Sequence, residues 1–411
     1  MPRFPSLRVF AANTSLVMVS AAVALGIGEG VVRRVAPRHR PLSVALRGLY
    51  VPDSALGYVT TSRFQRRVRG RGFISDVRTN ALGLRDDALG PHTPDTLRIL
   101  GLGDSFVFGI HAGPRERCFI EQLEAGLDRD LALHPSPSGA RAAQVVNAGV
   151  DGYGTVQEIG RLERLGPEVA PDGVLLAFYL GNDFTDNSGA TRMTVVDGYQ
   201  MLEASAAPFR AHFRPLHRRF RLWLHAHSEL YLLLKERLLH PVRARVEGEP
   251  QMAEPKSFDY YVYDAGYAHA LQSTPTPAVE AGIAATRAAL ARMRRWCDGH
   301  GASALIVALP TEQQVNPAAR AAWIARFGLH EADLDFERPA RVLAELAQNA
   351  GIPCFDLAAA FRERIAAGDT LFLPGDNHWN ATGHALAARA VQDAVRRELV
   401  DRSPAALIGS R

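Results

Sequence analysis

The succession of apolar runs and amphipathic stretches from Leu97 to Leu399 predicts an α/β fold, a three-layer α/β/α sandwich around a parallel sheet of about five strands. Three observations carry this reading. Leu97-Arg98-Ile99-Leu100-Gly101-Leu102 is an apolar run that ends in Gly103-Asp104-Ser105, the pattern of a buried strand, a tight turn and a hydroxyl at the strand's C-terminal edge. A second apolar run, Gly173 to Leu180, ends in Gly181-Asn182-Asp183, and a third, Ala304 to Leu309, is stopped by Pro310. Helical patterns separate these runs, and a β-α-β-α-β order implies parallel strands joined by right-handed crossovers. In open α/β sheets, ligands bind at the carboxyl ends of the strands.

The 411 residues are 47% hydrophobic and 22% charged, an ordinary globular balance in a chain long enough to bury a sizeable core. The net charge of +4 is small for this length and comes mostly from arginine, so it gives no argument for a nucleic-acid partner. No metal-spaced or aromatic nucleic-acid motif is present either. Cys118, Cys297 and Cys354 are far apart and odd in number, which excludes a disulfide framework and a cysteine zinc site. One disulfide stays open; buried apolar cysteine is the expected state of all three.

Residues 1–40 read as a membrane anchor with a basic flank. Val9 to Gly28 carries no charge over 20 positions, about enough helix to cross a bilayer. Arg3 and Arg8 precede it, and Arg33, Arg34, Arg38 and Arg40 follow. A retained anchor is expected. A cleaved signal peptide is the alternative, because small residues crowd Ser20 to Gly28. The arginine count alone would leave the body in the cytoplasm. Residues 41–96 are polar and turn-rich, a lead-in expected to pack on one edge of the sheet.

The α/β body is expected over 97–400. Arg117 to Leu133 reads as a helix with Phe119, Leu123 and Leu127 on one stripe. Gln144 to Asn147 reads as a short strand and Tyr153 to Leu165 as a helix. Residues 187–302 form an insertion too long for an ordinary loop. Its Phe209–Val246 part is basic and helical in pattern, with Leu222, Trp223, Leu224, Tyr231, Leu232, Leu233 and Leu234. That part reads as a cap helix packed on the body or as a membrane-surface helix. Pro250 to Pro277 reads as a loop and Val279 to Cys297 as a helix. The body then resumes with the Ala304–Leu309 strand, an Arg338–Asn349 helix, a short Pro353–Phe355 strand and a closing helix, Ala381 to Leu399. There are no internal repeats, and the tail, 401–411, is expected to fray towards its end.

Ser105 needs a base to become a nucleophile. The stretch Gly375-Asp376-Asn377-His378-Trp379-Asn380 supplies one. If it is extended, Asp376 and His378 point to the same side. The carboxylate then holds the imidazole in one tautomer and leaves the other nitrogen for the serine proton. Acyl chemistry also needs donors for an oxyanion. The Ser105 N–H, the glycine turn Asn147-Ala148-Gly149-Val150-Asp151-Gly152 and the Asn182 amide are the candidates. His384 reads as a packing residue, and Asp104 and Asp183 as residues that orient their turns. Asp151 and Tyr153 are candidate pocket residues, while Glu312 and Gln313 read as solvated loop. Gly101-x-Gly103 lacks the third glycine of a dinucleotide loop, no Walker lysine follows a glycine turn, and His378 and His384 do not fit the H-E-x-x-H spacing, so neither cofactor nor metal is expected. Ser105 also lacks the G-x-S-x-G elbow of α/β hydrolases.

These four blocks (Ser105, Gly152, Asn182 and His378, in that order) resemble those of the SGNH, or GDSL-type, hydrolase superfamily over about 97–186 and 303–398. Asn80-Ala81-Leu82-Gly83-Leu84-Arg85-Asp86 resembles a segment often found ahead of the serine block in membrane-anchored bacterial members. The resemblance implies a flavodoxin-like strand order, Ser105 as nucleophile, His378 as base, and Ser105, Gly152 and Asn182 as the oxyanion hole, with Asp376 completing the triad. The family's common spacing is Asp-x-x-His. Here it is Asp376-x-His378, similar to the Asp-x-His-Trp of relatives that act on polysaccharide acetyl groups. The implied function is a serine esterase working through an acyl-serine, on a small-molecule or carbohydrate ester such as an O-acetyl group of a cell-envelope carbohydrate. An O-acyltransferase using the same triad is the first alternative, and a non-catalytic glycan-binding component of a polysaccharide-assembly complex the second. Against the arginine count, the resemblance puts the body in the periplasm or outside the cell.

Overall fold

Two antiparallel hairpins precede the sheet: β1 (Tyr50–Asp53) with β2 (Gly57–Thr60), and β3 (Gln65–Gly70) with β4 (Phe73–Arg78). Strand β4 alternates strictly, with Phe73, Ser75 and Val77 buried and their neighbours exposed, so one face packs and the other meets water. The computed structural model describes residues 7–35, 42–70, 72–189, 192–203, 220, 223–224, 227–234 and 268–402. The chain divides into two units, residues 1–45 with 209–259 and residues 46–208 with 260–411.

In the second unit, β5 (Thr96–Leu102), β6 (Ala142–Asn147), β7 (Gly173–Tyr179), β10 (Ser303–Leu309) and β11 (Cys354–Asp356) form one five-stranded sheet in the order β11-β10-β7-β5-β6. All four pairings are parallel, as the sequence predicts. Every residue of β7 and β10 is buried, because helices cover both faces, and this is why these strands are continuous apolar runs with no polar alternation. On one face, Phe119, Leu123 and Leu127 of the Phe119–Leu133 helix pack with Ala387, Val391 and Val395 of the Ala381–Val395 helix. On the other, the helices Thr155–Val169, Pro277–His300 and Arg338–Asn349 pack through Ile159, Leu162, Leu290, Met293 and Leu343. Each of these side chains except Ala387 contributes about 1.5–3 kcal/mol on burial.

The open edge of β6 is closed by carboxylates. The Ala143 N–H donates to Asp128 at 2.7 Å, Val145 to Glu124 at 2.6 Å and Asn147 to Asp86 at 2.9 Å. These are alternate residues, so the outward N–H groups that another strand would use are taken. Asp86 comes from the lead-in, which thereby caps one edge of the sheet.

The stretch read as an insertion contains elements of the body. Strands β8 (Met193–Val196) and β9 (Tyr199–Leu202) pair as a hairpin, and Pro277–His300 lies in a main helical layer as part of the connection from β7 to β10. Most of the basic Phe209–Val246 stretch and of the Pro250–Pro277 loop lies outside the described residues, as do Arg3, Arg38, Arg40 and the tail from Ser403. Two further helices, Pro317–Phe327 and Ala358–Ala366, are not among the elements expected from the sequence. Cys118 and Cys297 are buried free thiols, as expected, but Cys354 is exposed because β11 is the outermost strand of its edge.

In the first unit, a helix runs from Leu7 to Val35, past the predicted end at Gly28. Its 23-residue Asn13–Val35 portion, with an 18-residue window of mean hydropathy 1.9 of which 6% is buried, is the one stretch among the described residues long and apolar enough to cross a membrane. Glu29 accepts hydrogen bonds from the Glu229 and Leu230 N–H groups and the Ser228 hydroxyl, and so caps the short helix Glu229–Leu234 of the same unit.

Candidate active site

Strand β5 delivers Ser105 to its C-terminal edge through a turn that only glycine fits. A Cβ on Gly103 would lie 2.4 Å from Val107 Cγ2. Asp104 then caps the single-turn helix Ser105–Phe108 by accepting the Phe106 N–H at 2.9 Å, the turn-orienting role expected of it. Asn147, at the end of β6, donates to the Val107 carbonyl at 2.8 Å and accepts the Gly149 N–H at 3.2 Å, tying the serine turn to the glycine turn.

His378 arrives from a loop before the closing helix. Leu373 N–H donates to the His378 carbonyl at 2.9 Å, and Asn380 caps the helix by accepting the Thr382 and Gly383 N–H groups. Within this loop one oxygen of Asp376 accepts both the His378 backbone N–H, at 2.9 Å, and its Nδ1–H, at 2.6 Å. The short Asp-x-His spacing works because the carboxylate holds backbone and ring of the same residue. The other ring nitrogen, Nε2, lies 2.7 Å from Ser105 Oγ.

The electrostatics follow from burial and pairing. Burial alone would raise Asp376, but the His378 imidazole beside it holds its carboxyl well below the usual carboxylate range. Burial would lower His378, and Asp376 outweighs that, with Asp151 and Asp104 adding to it, so the imidazole is raised above its ordinary 6.5. Asp104 is itself pushed up to about 7 by burial, and Asp151 upward for the same reason.

One pocket collects Ser105, His378, Gly152 and Asn182, with Asp104 and Asp151 beside them and Phe106, Tyr179 and Asn377 completing its wall. Gly152 has φ +75°, and a Cβ there would meet Gln200 Nε2 at 3.0 Å and Tyr58 Oη at 3.1 Å. Asp183 accepts the Tyr179 N–H at 3.0 Å and fixes the turn that carries Asn182. Asp151 lines the pocket as anticipated; Tyr153 does not, and its hydroxyl donates to the Tyr58 carbonyl. His384 is buried on the closing helix, accepts the Phe119 N–H at 3.3 Å, and is pushed down to about 3 by burial. Gln313 is buried, contrary to the solvated-loop expectation, because Thr311 caps a helical turn, Glu312–Val315, that folds it inward.

Three contributors were not legible in the sequence. Tyr58 of β2 and Gln200 of β9 both donate to the Asp151 carbonyl, at 2.9 and 2.7 Å, bracing the turn ahead of Gly152. His111 stacks on His378 with ring centroids 3.7 Å apart and planes 12° from parallel. The ligand atoms of His111, Asp376 and His378 lie within 4.8 Å of one another, close enough for a cation. Both ring nitrogens of His378 are engaged, however, one by Asp376 and one by Ser105, which leaves that ring no lone pair to offer a metal.

Residues 268–408 match the family model described as "SGNH hydrolase-like domain, acetyltransferase AlgX". That span holds Asp376 and His378; Ser105, Gly152 and Asn182 lie ahead of it. No curated protein matches the chain significantly. Among solved structures the chain is similar to an acetyl xylan esterase, AlAXEase, at TM-score 0.38 and 12% identity over 73% of this chain and 100% of that one. It is also similar to a two-domain esterase (CEX) active on acetylated mannans, at TM-score 0.37 and 14% identity over 74% of this chain and 50% of that one. A lipase/acylhydrolase from Enterococcus faecalis matches at TM-score 0.37 and 13% identity over 74% and 99% of the two chains. The family-model match thus falls on the second half of the domain built on the five-stranded parallel sheet, and there the chain is similar to SGNH hydrolase-like domains.

Proposed function

We propose that this protein is a serine esterase that cleaves a small acyl ester, such as an O-acetyl group on a carbohydrate, through an acyl-serine intermediate. The observation that carries the reading is the continuous Ser105–His378–Asp376 hydrogen-bond chain at 2.7 and 2.6 Å. Ser105 Oγ attacks the ester carbonyl while its proton passes to His378 Nε2. The carbonyl electron pair moves onto oxygen, and the Ser105 and Gly152 N–H groups and the Asn182 amide receive the oxyanion. His378 returns the proton to the leaving alcohol. Water, activated by the same imidazole, then releases the acid.

The name of the matching family model supports a second reading, in which a carbohydrate hydroxyl takes the place of water and the acyl group is transferred. The Asn13–Val35 helix supports anchorage of the protein; we set its body on the outer side of the membrane, where envelope carbohydrate lies, on the family resemblance and not on the helix. The division into anchor, lead-in, hydrolase domain and tail at 1–40, 41–96, 97–400 and 401–411 belongs to the same proposal.

The test is turnover of p-nitrophenyl acetate by the detergent-solubilised full chain beside Ser105→Ala and His378→Ala, with and without an acceptor oligosaccharide. Loss of turnover in both variants supports the triad. Acetylated oligosaccharide formed at the expense of free acetate selects transfer over hydrolysis. Equal turnover in all three proteins contradicts the assignment.

A further inference from the structure

His111 is a buried histidine with no place in the mechanism above. It sits on a single 3-10 turn, Ile110–Ala112, directly after the nucleophile's helix, and is 4% exposed. Its Nδ1 is buried and has no hydrogen-bond partner among the described residues. A phenylalanine would fill the same space without that cost. The ring lies almost flat on His378, and the Phe73 ring of β4 meets it at 5.1 Å and 67°. Phe106 packs on His378 as well, at 5.1 Å. The lead-in thus bears on His111, and His111 bears on the base.

We propose that His111 is a positioning residue for the general base: as a neutral ring stacked on His378, it fixes the plane of that imidazole and stabilises the imidazolium formed when the Ser105 proton arrives. The inference rests on the serine-esterase reading. The step it assists breaks the Ser105 O–H bond, forms the Oγ–carbon bond and leaves the proton on His378 Nε2, so a positive charge appears against the π face of His111. A cation is attracted by such a face, most strongly away from water.

The groups around His378 are consistent with this division of roles. Asp376 from its own loop, Asp104 after β5 and Asp151 after β6 all favour the charged form of His378. Burial, the neighbouring His378 and the positive Arg85 keep His111 neutral, with Asp376 the opposing charge. His384, on the closing helix, is also held neutral by burial. Of the three imidazoles, the proton therefore goes to the one that touches Ser105.

The test compares His111→Leu, which removes the ring, with His111→Phe, which keeps an aromatic face. Steady-state kinetics on p-nitrophenyl acetate across pH are read beside thermal unfolding, with Ser105→Ala as control. The expected result is a kcat about tenfold lower in His111→Leu at little-changed KM, with the acid limb of kcat/KM moved to lower pH by roughly half a unit. His111→Phe is expected to stay within a few-fold of wild type with its acid limb unmoved. If His111→Leu does not fold, His111→Gln, also lacking an aromatic ring, carries the same comparison. A ring-less variant that matches wild type in kcat and acid limb overturns the proposal. So does an equal loss in the ring-less variant and His111→Phe with unmoved limbs. Turnover that survives Ser105→Ala overturns the esterase reading instead, whatever the His111 variants do.

Discussion

Tyr58 Oη donates to the carbonyl of Asp151 at 2.9 Å, so a hairpin outside the five-stranded sheet sets the backbone of the turn that carries Gly152. The same hydroxyl accepts from Gln200 Nε2 at 3.0 Å, which brings the β8–β9 hairpin into the brace. An oxyanion donor acts only where it is already aimed, so anything that loosens this turn is felt in the transition state more than in substrate binding. Tyr58→Phe removes both of these hydrogen bonds, each worth about 0.5–1.5 kcal/mol. The expected result in steady-state kinetics is a kcat reduced up to about tenfold at nearly constant KM.

Gly152→Ala is expected to be more severe. The residue sits at φ +75°, and the new methyl would press on Gln200 and Tyr58 at 3.0 and 3.1 Å. Strain of about 1–3 kcal/mol is expected in equilibrium unfolding, and kcat should fall by about two orders of magnitude as the N–H turns from the pocket.

The pH dependence of activity follows from His378. Its pKa is raised above 6.5 in the fold, chiefly by Asp376 acting against burial. The proposed mechanism needs His378 neutral, so kcat/KM should rise with pH through a midpoint above 6.5. Asp376→Asn removes the charge that raises it. The midpoint should then move to lower pH, and the plateau rate should drop by about three to four orders of magnitude as the ring loses its tautomer. A pH–rate profile of both proteins checks this.

Stability should respond to His384 in the acid range. The folded pKa is about 3 against an ordinary 6.5, so between these values the unfolded chain binds a proton that the folded chain refuses. Stability from this group is complete above 6.5 and is lost as pH falls towards 3. His384→Gln should therefore lose less stability than wild type on going from about pH 7 to about pH 5, by about 2 kcal/mol, in denaturant unfolding.

The sheet was legible because its central strands are buried on both faces and read as unbroken apolar runs, each ended by a turn residue. Ser105, Gly152, Asn182 and His378 were legible because each follows a strand or precedes a helix with a visible cap. Tyr58, Gln200 and His111 were not, since their roles depend on contacts 49 to 267 residues away along the chain and no local pattern marks them. The Pro317–Phe327 helix does carry a local signal. Asn316 caps it by accepting the Ala318 and Ala319 N–H groups, Pro317 opens it, and Gly328 closes it in the left-handed conformation. Its alanine-rich sequence gives a weak apolar stripe, and only Trp323 is buried. Pro277–His300 packs in a main helical layer through Leu290 and Met293, a role that the basic stretch ahead of it hides in the sequence.

The central claim is a covalent acyl group on Ser105. The most direct measurement is peptide mass mapping of the full chain quenched in acid during turnover of p-nitrophenyl acetate. The account predicts one acetyl group on the peptide containing Ser105, absent from Ser105→Ala, which should turn nothing over. Turnover that persists in Ser105→Ala, or an acetyl group found only on another residue, would contradict it.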